Sequence, residues 1–450
     1  MKRSLAIFFL LLLAACGQRS CREAAKEYPE GKGKYLYEMH CASCHGVKGD
    51  GKGAVAQYLW PKPRDFTAGI FKFRTTRGPI PSDHDLLQTM IKGVPGSSMP
   101  GWEMLAKEEW QAILSHVKSF NPRLAQQKAP RSVDIPEEPK ATDASIQAGK
   151  VLFEKAGCVA CHGPQGKGDG PGAMVLKDVW GDRIAPRDLT RGPLKWGNTA
   201  NDIYRTLMLG IPGTPMPNYE HTFTREQIWS LVHFIQSIQR KLPEGYDPSN
   251  PHRNLISAGR VQGEIPLDHE AEVWKKARPI PVFLKPLWYE PRATEWLSVK
   301  ALQNGKEIAF YIQWEDDRMD VEGERKDGVA VQLPVDEIRE PVQLPYLGMG
   351  SPGRKVNIWQ WKAGSFTEFN AAGVGNLETQ NLGQQNVSGK GIYENGQWHV
   401  ILKRPFKSLF SHDAPILNLG WLSFALWDAD LPTHRGPEAF SEWIRYELQE

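Results

Sequence analysis

Two five-residue strings set thiols and an imidazole at one spacing: Cys41-Ala42-Ser43-Cys44-His45 and Cys158-Val159-Ala160-Cys161-His162. Two cysteines three residues apart, followed at once by a histidine, suit covalent attachment of a c-type haem. Each thiol adds to a vinyl group, and the next residue's imidazole can bind the iron from one side. A dithiol redox pair and half of a zinc site also use C-x-x-C. The first would sit in a βαβ pattern, which is missing around these strings. A four-thiol zinc site would leave both histidines without a role. The residues therefore predict two covalent haems, with His45 and His162 as iron ligands.

A methionine follows each string at the same distance. It lies in Gly93-Val94-Pro95-Gly96-Ser97-Ser98-Met99-Pro100 and in Gly210-Ile211-Pro212-Gly213-Thr214-Pro215-Met216-Pro217. His45 precedes Met99 by 54 residues, and His162 precedes Met216 by 54. Cysteines, histidine and methionine all recur with an offset of 117, which marks an internal duplication. A thioether opposite the histidine closes the iron to substrate and raises its potential. A lone methionine usually fills gaps in a core. Two in one register, each in a Gly- and Pro-rich loop able to approach a flat group closely, predict Met99 and Met216 as the second ligands.

These groups need helices to hold them. Gly33 to Met39 and Ser145 to Lys155 read as helices leading into the strings, and Glu108 to Phe120 and Arg225 to Arg240 as helices after the methionine loops. Trp110, Ile113, Leu114 and Val117 fall on one helical face, as do Trp229, Val232, His233 and Gln236. His40, His84, His116, His221 and His233 read as packed or surface residues, because a methionine already fits each site. The Gly-rich runs Gly46 to Gly53 and Gly163 to Gly172 directly follow the strings and read as haem-edge loops rather than phosphate cradles.

From about residue 254 the pattern turns to strands, at Glu307–Trp314, Val329–Leu333, Lys355–Lys362, Gln397–Lys403 and Trp421–Trp427. Asn304-Gly305, Asp327-Gly328 and Asn395-Gly396 supply turns. Alternation along Lys355–Lys362 puts Val356, Ile358, Gln360 and Lys362 on one face and Trp359 and Trp361 on the other. On the residues alone, Lys362 is equally open to a snorkelling edge role.

The N-terminus has Met1-Lys2-Arg3, an apolar run from Leu5 to Ala15, and Cys16. That run is too short to span a bilayer and reads as a secretory signal. Leu13-Ala14-Ala15-Cys16 resembles a bacterial lipobox, which implies cleavage before Cys16 and acylation of its thiol. Of six cysteines, four serve haems and one the lipid, leaving Cys21 without an assigned role. The net charge of +3 over 450 residues argues against nucleic-acid binding.

The two repeats resemble the small class I cytochrome c fold. The strings Ile308–Asp316, Asp327–Pro334, Val356–Ala363 and Phe424–Asp428 resemble the haem b subunit of type II DMSO-reductase-family molybdenum enzymes. Ethylbenzene, dimethylsulfide, selenate and chlorate enzymes have that subunit, and a nitrite oxidoreductase gamma subunit is similar. The resemblance implies one non-covalent haem b between a methionine and a lysine, placed here at Met349 and Lys362. Met319 and Lys390 are alternatives. It also implies a molybdopterin catalytic subunit and an iron–sulfur subunit as partners.

The expected architecture is two all-α cytochrome c domains followed by an all-β antiparallel sandwich. The expected boundaries are 1–15 signal, 16–29 leader, 30–120 first c domain, 121–142 linker, 143–240 second c domain, 241–264 linker and 265–450 haem b domain. The expected role is a non-catalytic electron-transfer subunit, lipid-anchored on the periplasmic side. It would pass electrons between the iron–sulfur subunit and a cytochrome or quinol-linked carrier. A dihaem c-type peroxidase and a free-standing dihaem cytochrome with a carbohydrate-binding-like β domain are the alternatives.

Overall fold

The computed structural model describes residues 31–126, 131–243, 255–380, 382–408, 410, 413–430 and 436–450. The expected signal, Cys16 and Cys21 lie outside them. Among the described residues no helix is long and apolar enough to cross a membrane.

The first repeat comprises α1 (Lys32–His40), α2 (Ala42–His45), α3 (Asp83–Lys92), α4 (Lys107–Ser119) and α5 (Pro122–Gln126). The second has α6 (Asp143–Lys155), α7 (Val159–His162), α8 (Ala200–Leu209) and α9 (Arg225–Ile238). Helices α3 and α8 were not anticipated. Ser82 and Thr199 cap them, each with an aspartate reaching back from the third helical position.

In each repeat the first helix crosses a later long helix, α4 or α9, at a glycine. A Cβ on Gly33 would lie 2.2 Å from the Ala112 carbonyl oxygen on α4, and one on Gly149 would lie 1.9 Å from that of Ser230 on α9. Glycine lets the two backbones touch there. Segment 121–142, read as a linker, is partly packed: it contains α5, Leu124 and Val133 are buried, and Val133 N–H donates to the Thr75 carbonyl.

Among the described residues, the C-terminal part is a sheet of thirteen strands. They are β1 (Leu255–Arg260), β2 (Ile280–Pro286), β3 (Trp296–Gln303), β4 (Glu307–Glu315), β5 (Gly328–Pro334), β6 (Val356–Lys362) and β7 (Ser365–Ala371). Then come β8 (Leu377–Thr379), β9 (Ser388–Glu394), β10 (Gln397–Pro405), β11 (Leu419–Trp427), β12 (Ala439–Ser441) and β13 (Ile444–Leu448). The order β8-β7-β6-β5-β11-β12-β2-β3-β4-β10-β9 folds over one core, so that Phe310 on β4 meets Phe424 on β11 and Trp359 on β6. Two findings differ from expectation. Strand β1 pairs parallel with both β13 and β3, so the sheet is not wholly antiparallel. It also begins at Leu255, inside the segment read as a connector. Alternation reports which face a residue takes; it cannot report strand direction.

The β5–β6–β7 half-sheet is buried on both faces. Trp359 and Trp361 enter the main core, while Val356 and Ile358 face a second apolar cluster with Phe369 and Trp443. Met104, from the first helical domain, and Met349 pack against that second cluster.

Candidate cofactor sites

Each Cys-x-x-Cys-His string forms the turn after a helix and closes on a Gly-rich loop. Gly51 N–H donates to the His45 carbonyl and Gly53 N–H to that of Cys44; Gly168 and Gly170 do the same for His162 and Cys161. A Cβ on Gly53 would lie 2.2 Å from the Ser43 carbonyl oxygen, so only glycine fits. These runs therefore brace the thiols and imidazole, as haem-edge loops would.

Both histidines are held identically. His45 Nδ1–H donates to the Arg64 carbonyl at 3.0 Å, and His162 Nδ1–H donates to that of Arg187 at 3.1 Å. The tautomer leaves Nε2 as the free lone pair, the nitrogen an iron needs. Burial pushes His45 down to about 4 and lowers His162, which favours the neutral ring at both.

The methionine loops match too. Val94 N–H donates to the Met99 carbonyl and Ile211 N–H to that of Met216. The Ser97 and Thr214 hydroxyls each accept the methionine N–H and donate to the carbonyl three residues earlier.

These groups converge. Cys41, Cys44, His45 and Met99 line one cavity of about 200 Å³. Cys158, Cys161, His162 and Met216 line another of about 380 Å³. None of these four cysteines is in a disulfide, and burial raises Cys41 to about 12. Thiols, neutral imidazole, thioether and apolar walls such as Phe71 and Ile113 in the first cavity suit a covalent haem. Of the other histidines, His40 also borders the first cavity, packed 4.8 Å from the Trp102 ring, and His233 is bonded to Ser145.

The histidine anchors lie in a repeated string that the sequence reading passed over. Pro63-Arg64-Asp65-Phe66-Thr67 recurs as Pro186-Arg187-Asp188-Leu189-Thr190. In each, the aspartate Oδ1 accepts from the threonine N–H and hydroxyl. The offset here is 123 rather than 117, so a search at constant register misses it.

In the β domain, Met349 and Lys362 lie on the same face of the half-sheet. Met349 packs against the cluster that holds Val356 and Ile358, at a left-handed backbone position with φ 70°. Lys362, at the end of β6, sets its Nζ 5.4 Å from the centre of the Trp427 ring, which packs against the same cluster. Met319 is 53% exposed and Lys390 is exposed on β9, away from this face. The loop bearing Met349 also reaches the first helical domain: the Tyr346 hydroxyl lies 3.9 Å from Cys44 Sγ, and Val342 packs with Leu36 and Trp102.

Fold and sites define a duplicated cytochrome c joined to a β-sheet domain. Residues 146–239 match the cytochrome c family, 30–117 match cytochrome c oxidase, cbb3-type, subunit III, and 271–385 match the ethylbenzene dehydrogenase family. The chain thus carries two cytochrome c domains and a domain of the ethylbenzene dehydrogenase family. A putative respiratory nitrate reductase heme subunit of Haloferax mediterranei is 27% identical over 164 residues, 34% of this chain and 55% of that protein. The chain thus spans about half the length of that relative. The chlorate reductase subunit gamma of Ideonella dechloratans is 27% identical over 204 residues, 42% of this chain and 83% of that protein. A chain of the Kuenenia stuttgartiensis reducing HAO-like protein complex shares 38% identity, with a TM-score of 0.45, over 46% of this chain and 96% of its own.

Proposed function

We propose that this chain is the multihaem electron-transfer subunit of an extracytoplasmic molybdenum oxidoreductase complex. It connects an iron–sulfur subunit, beside a molybdopterin catalytic subunit, to a cytochrome or quinol-linked carrier. The names of the nitrate and chlorate reductase relatives support the class of complex. A bound haem supplies a one-electron couple, and this chain's residues attach it, ligate it and exclude water.

Cys41 and Cys44 would anchor the first covalent haem and Cys158 and Cys161 the second. His45 with Met99, and His162 with Met216, would ligate the two irons, which would leave neither a place for substrate. Met349 and Lys362 would hold the haem b. Cys16 tethers the chain by its lipid to the periplasmic side of the membrane.

One observation carries the reading: neighbouring sites adjoin. The Met349 loop sits on the first attachment string through Tyr346 and Cys44, and the first cavity shares walls with the second at Pro61, Lys72, Phe73 and Lys195. These contacts support the order haem b, first c haem, second c haem.

The test is haem content and ligation. The intact chain should give two c haems and one b haem in a pyridine haemochrome assay, all low-spin when ferric. Lys362→Ala should lose the b signal and keep both c haems. Unchanged haem b would refute Lys362 as its ligand. A high-spin c haem with peroxide turnover would favour a peroxidase.

A further inference from the structure

The wall between the two cavities carries a feature that the ligand sets do not use. Lys72 and Lys195 each line both cavities. They are counterparts: Phe71-Lys72-Phe73 recurs as Leu194-Lys195-Trp196, at the same offset of 123 that relates Arg64 to Arg187. Phe73 and Trp196 meet with ring centres 5.0 Å apart. Each repeat therefore contributes the same lysine to one seam.

Among the described residues, neither ammonium has a carboxylate within ion-pair reach or a hydrogen-bond acceptor. The Lys195 Nζ lies 5.5 Å from the centre of the Tyr289 ring, a weak substitute. Its charged neighbours, Lys72 and Arg187, have the same sign. Arg187 itself is matched by Glu295 at 2.8 Å. Burial together with these neighbours pushes Lys195 down to about 7, and burial with Arg64 pushes Lys72 to about 8. Asp178 acts on Lys72 only from beyond ion-pair distance, so the two half-buried cations are poorly compensated, and bound carboxylates would offset that cost.

We propose that Lys72 and Lys195 form a dicationic seam that binds propionate carboxylates of both covalent haems, linking the two sites electrostatically. This rests on the assignment of both cavities to c haems. A propionate is the anionic edge of that group, and the seam is the cationic wall common to both cavities. Both lysines are positioning residues, and neither bonds to iron. A shared cation destabilises the ferric state of each haem, so it raises both potentials together.

Spectroelectrochemical titration of the intact holoprotein tests the seam. Lys195→Met should retain two c haems and lower the midpoint potentials of both, and Lys72→Met should do the same. Lys195→Arg, which keeps the charge, should leave both near wild type. A shift confined to the haem of the substituted repeat, or no shift with both haems in place, would overturn the seam. If Lys195→Met fails to assemble, Lys72→Met decides between these outcomes alone. Fewer than two c haems in the wild-type chain would overturn the parent assignment instead, and haem counting reads that separately.

Discussion

At the residue scale, the paired histidines gain their chemistry from a backbone carbonyl each. Arg64 and Arg187 lend main-chain oxygens at 3.0 and 3.1 Å, which orient the rings and set the tautomer. Opposite them, the loops of Met99 and Met216 are pinned by Ser97 and Thr214. The thioether is the softer, weaker donor and favours ferrous iron. Met99→His should therefore keep the first c haem low-spin and lower its potential, leaving the second within the small change that coupling transmits. Redox titration reads both; an unchanged first potential would show that Met99 is not a ligand.

At the element scale, each c domain depends on one close helix crossing. Helices α1 and α4 touch at Gly33, and α6 and α9 at Gly149. A methyl group at Gly149 has nowhere to go, since the blocking atoms are the backbone carbonyl of Ser230 and the Phe234 Cβ at 2.8 Å. Gly149→Ala should cost about 1–3 kcal/mol, the usual range for overpacking. Chemical denaturation of the holoprotein followed at the second c haem would show it as a lower midpoint. Periodicity marked α4 and α9, whose apolar residues recur at helical spacing. Helix α3 escaped notice: its described residues are mostly half-buried and the buried one is Asp85, a capping side chain.

At the scale of the molecule, the β domain is a scaffold for both c domains. Trp60 N–H donates to the Leu287 carbonyl, and Tyr289 N–H donates to that of Trp60. Glu442, paired with Lys285 at 3.1 Å, accepts from Gly101 N–H at 2.6 Å. The same domain stores an electrostatic load: ligand-type oxygens of Asp316, Asp327 and Asp428 lie within 4.8 Å of one another. Burial is the first cause that raises Asp316 from 3.8 to about 7 and Asp428 to about 6. A carboxyl raised in the folded state holds its proton more tightly there than when unfolded. Its stabilisation is complete below about pH 4 and is lost as pH rises through 6 and 7. Urea midpoints of the β domain should therefore be higher at pH 5 than at pH 8. Asp316→Asn should narrow that gap by raising the pH 8 value, and an equal gap in the variant would rule the carboxyl out as its cause.

The sequence alone determined what local chemistry can encode. Thiol and imidazole spacing, the matched methionines at constant offset, and alternation along Val356–Lys362 are short-range patterns, and each names its residues directly. Tertiary structure decided the rest. That Lys72 and Lys195, far apart in the chain, share one wall follows from how two repeats pack face to face. That the Met349 loop lies on Cys44 follows from the β domain's docking, 302 residues away in sequence from Cys44 to Tyr346. Strand direction at β1 likewise depends on chain crossings that side-chain alternation does not record. Local spacing specifies individual sites, and long-range packing decides which of them adjoin.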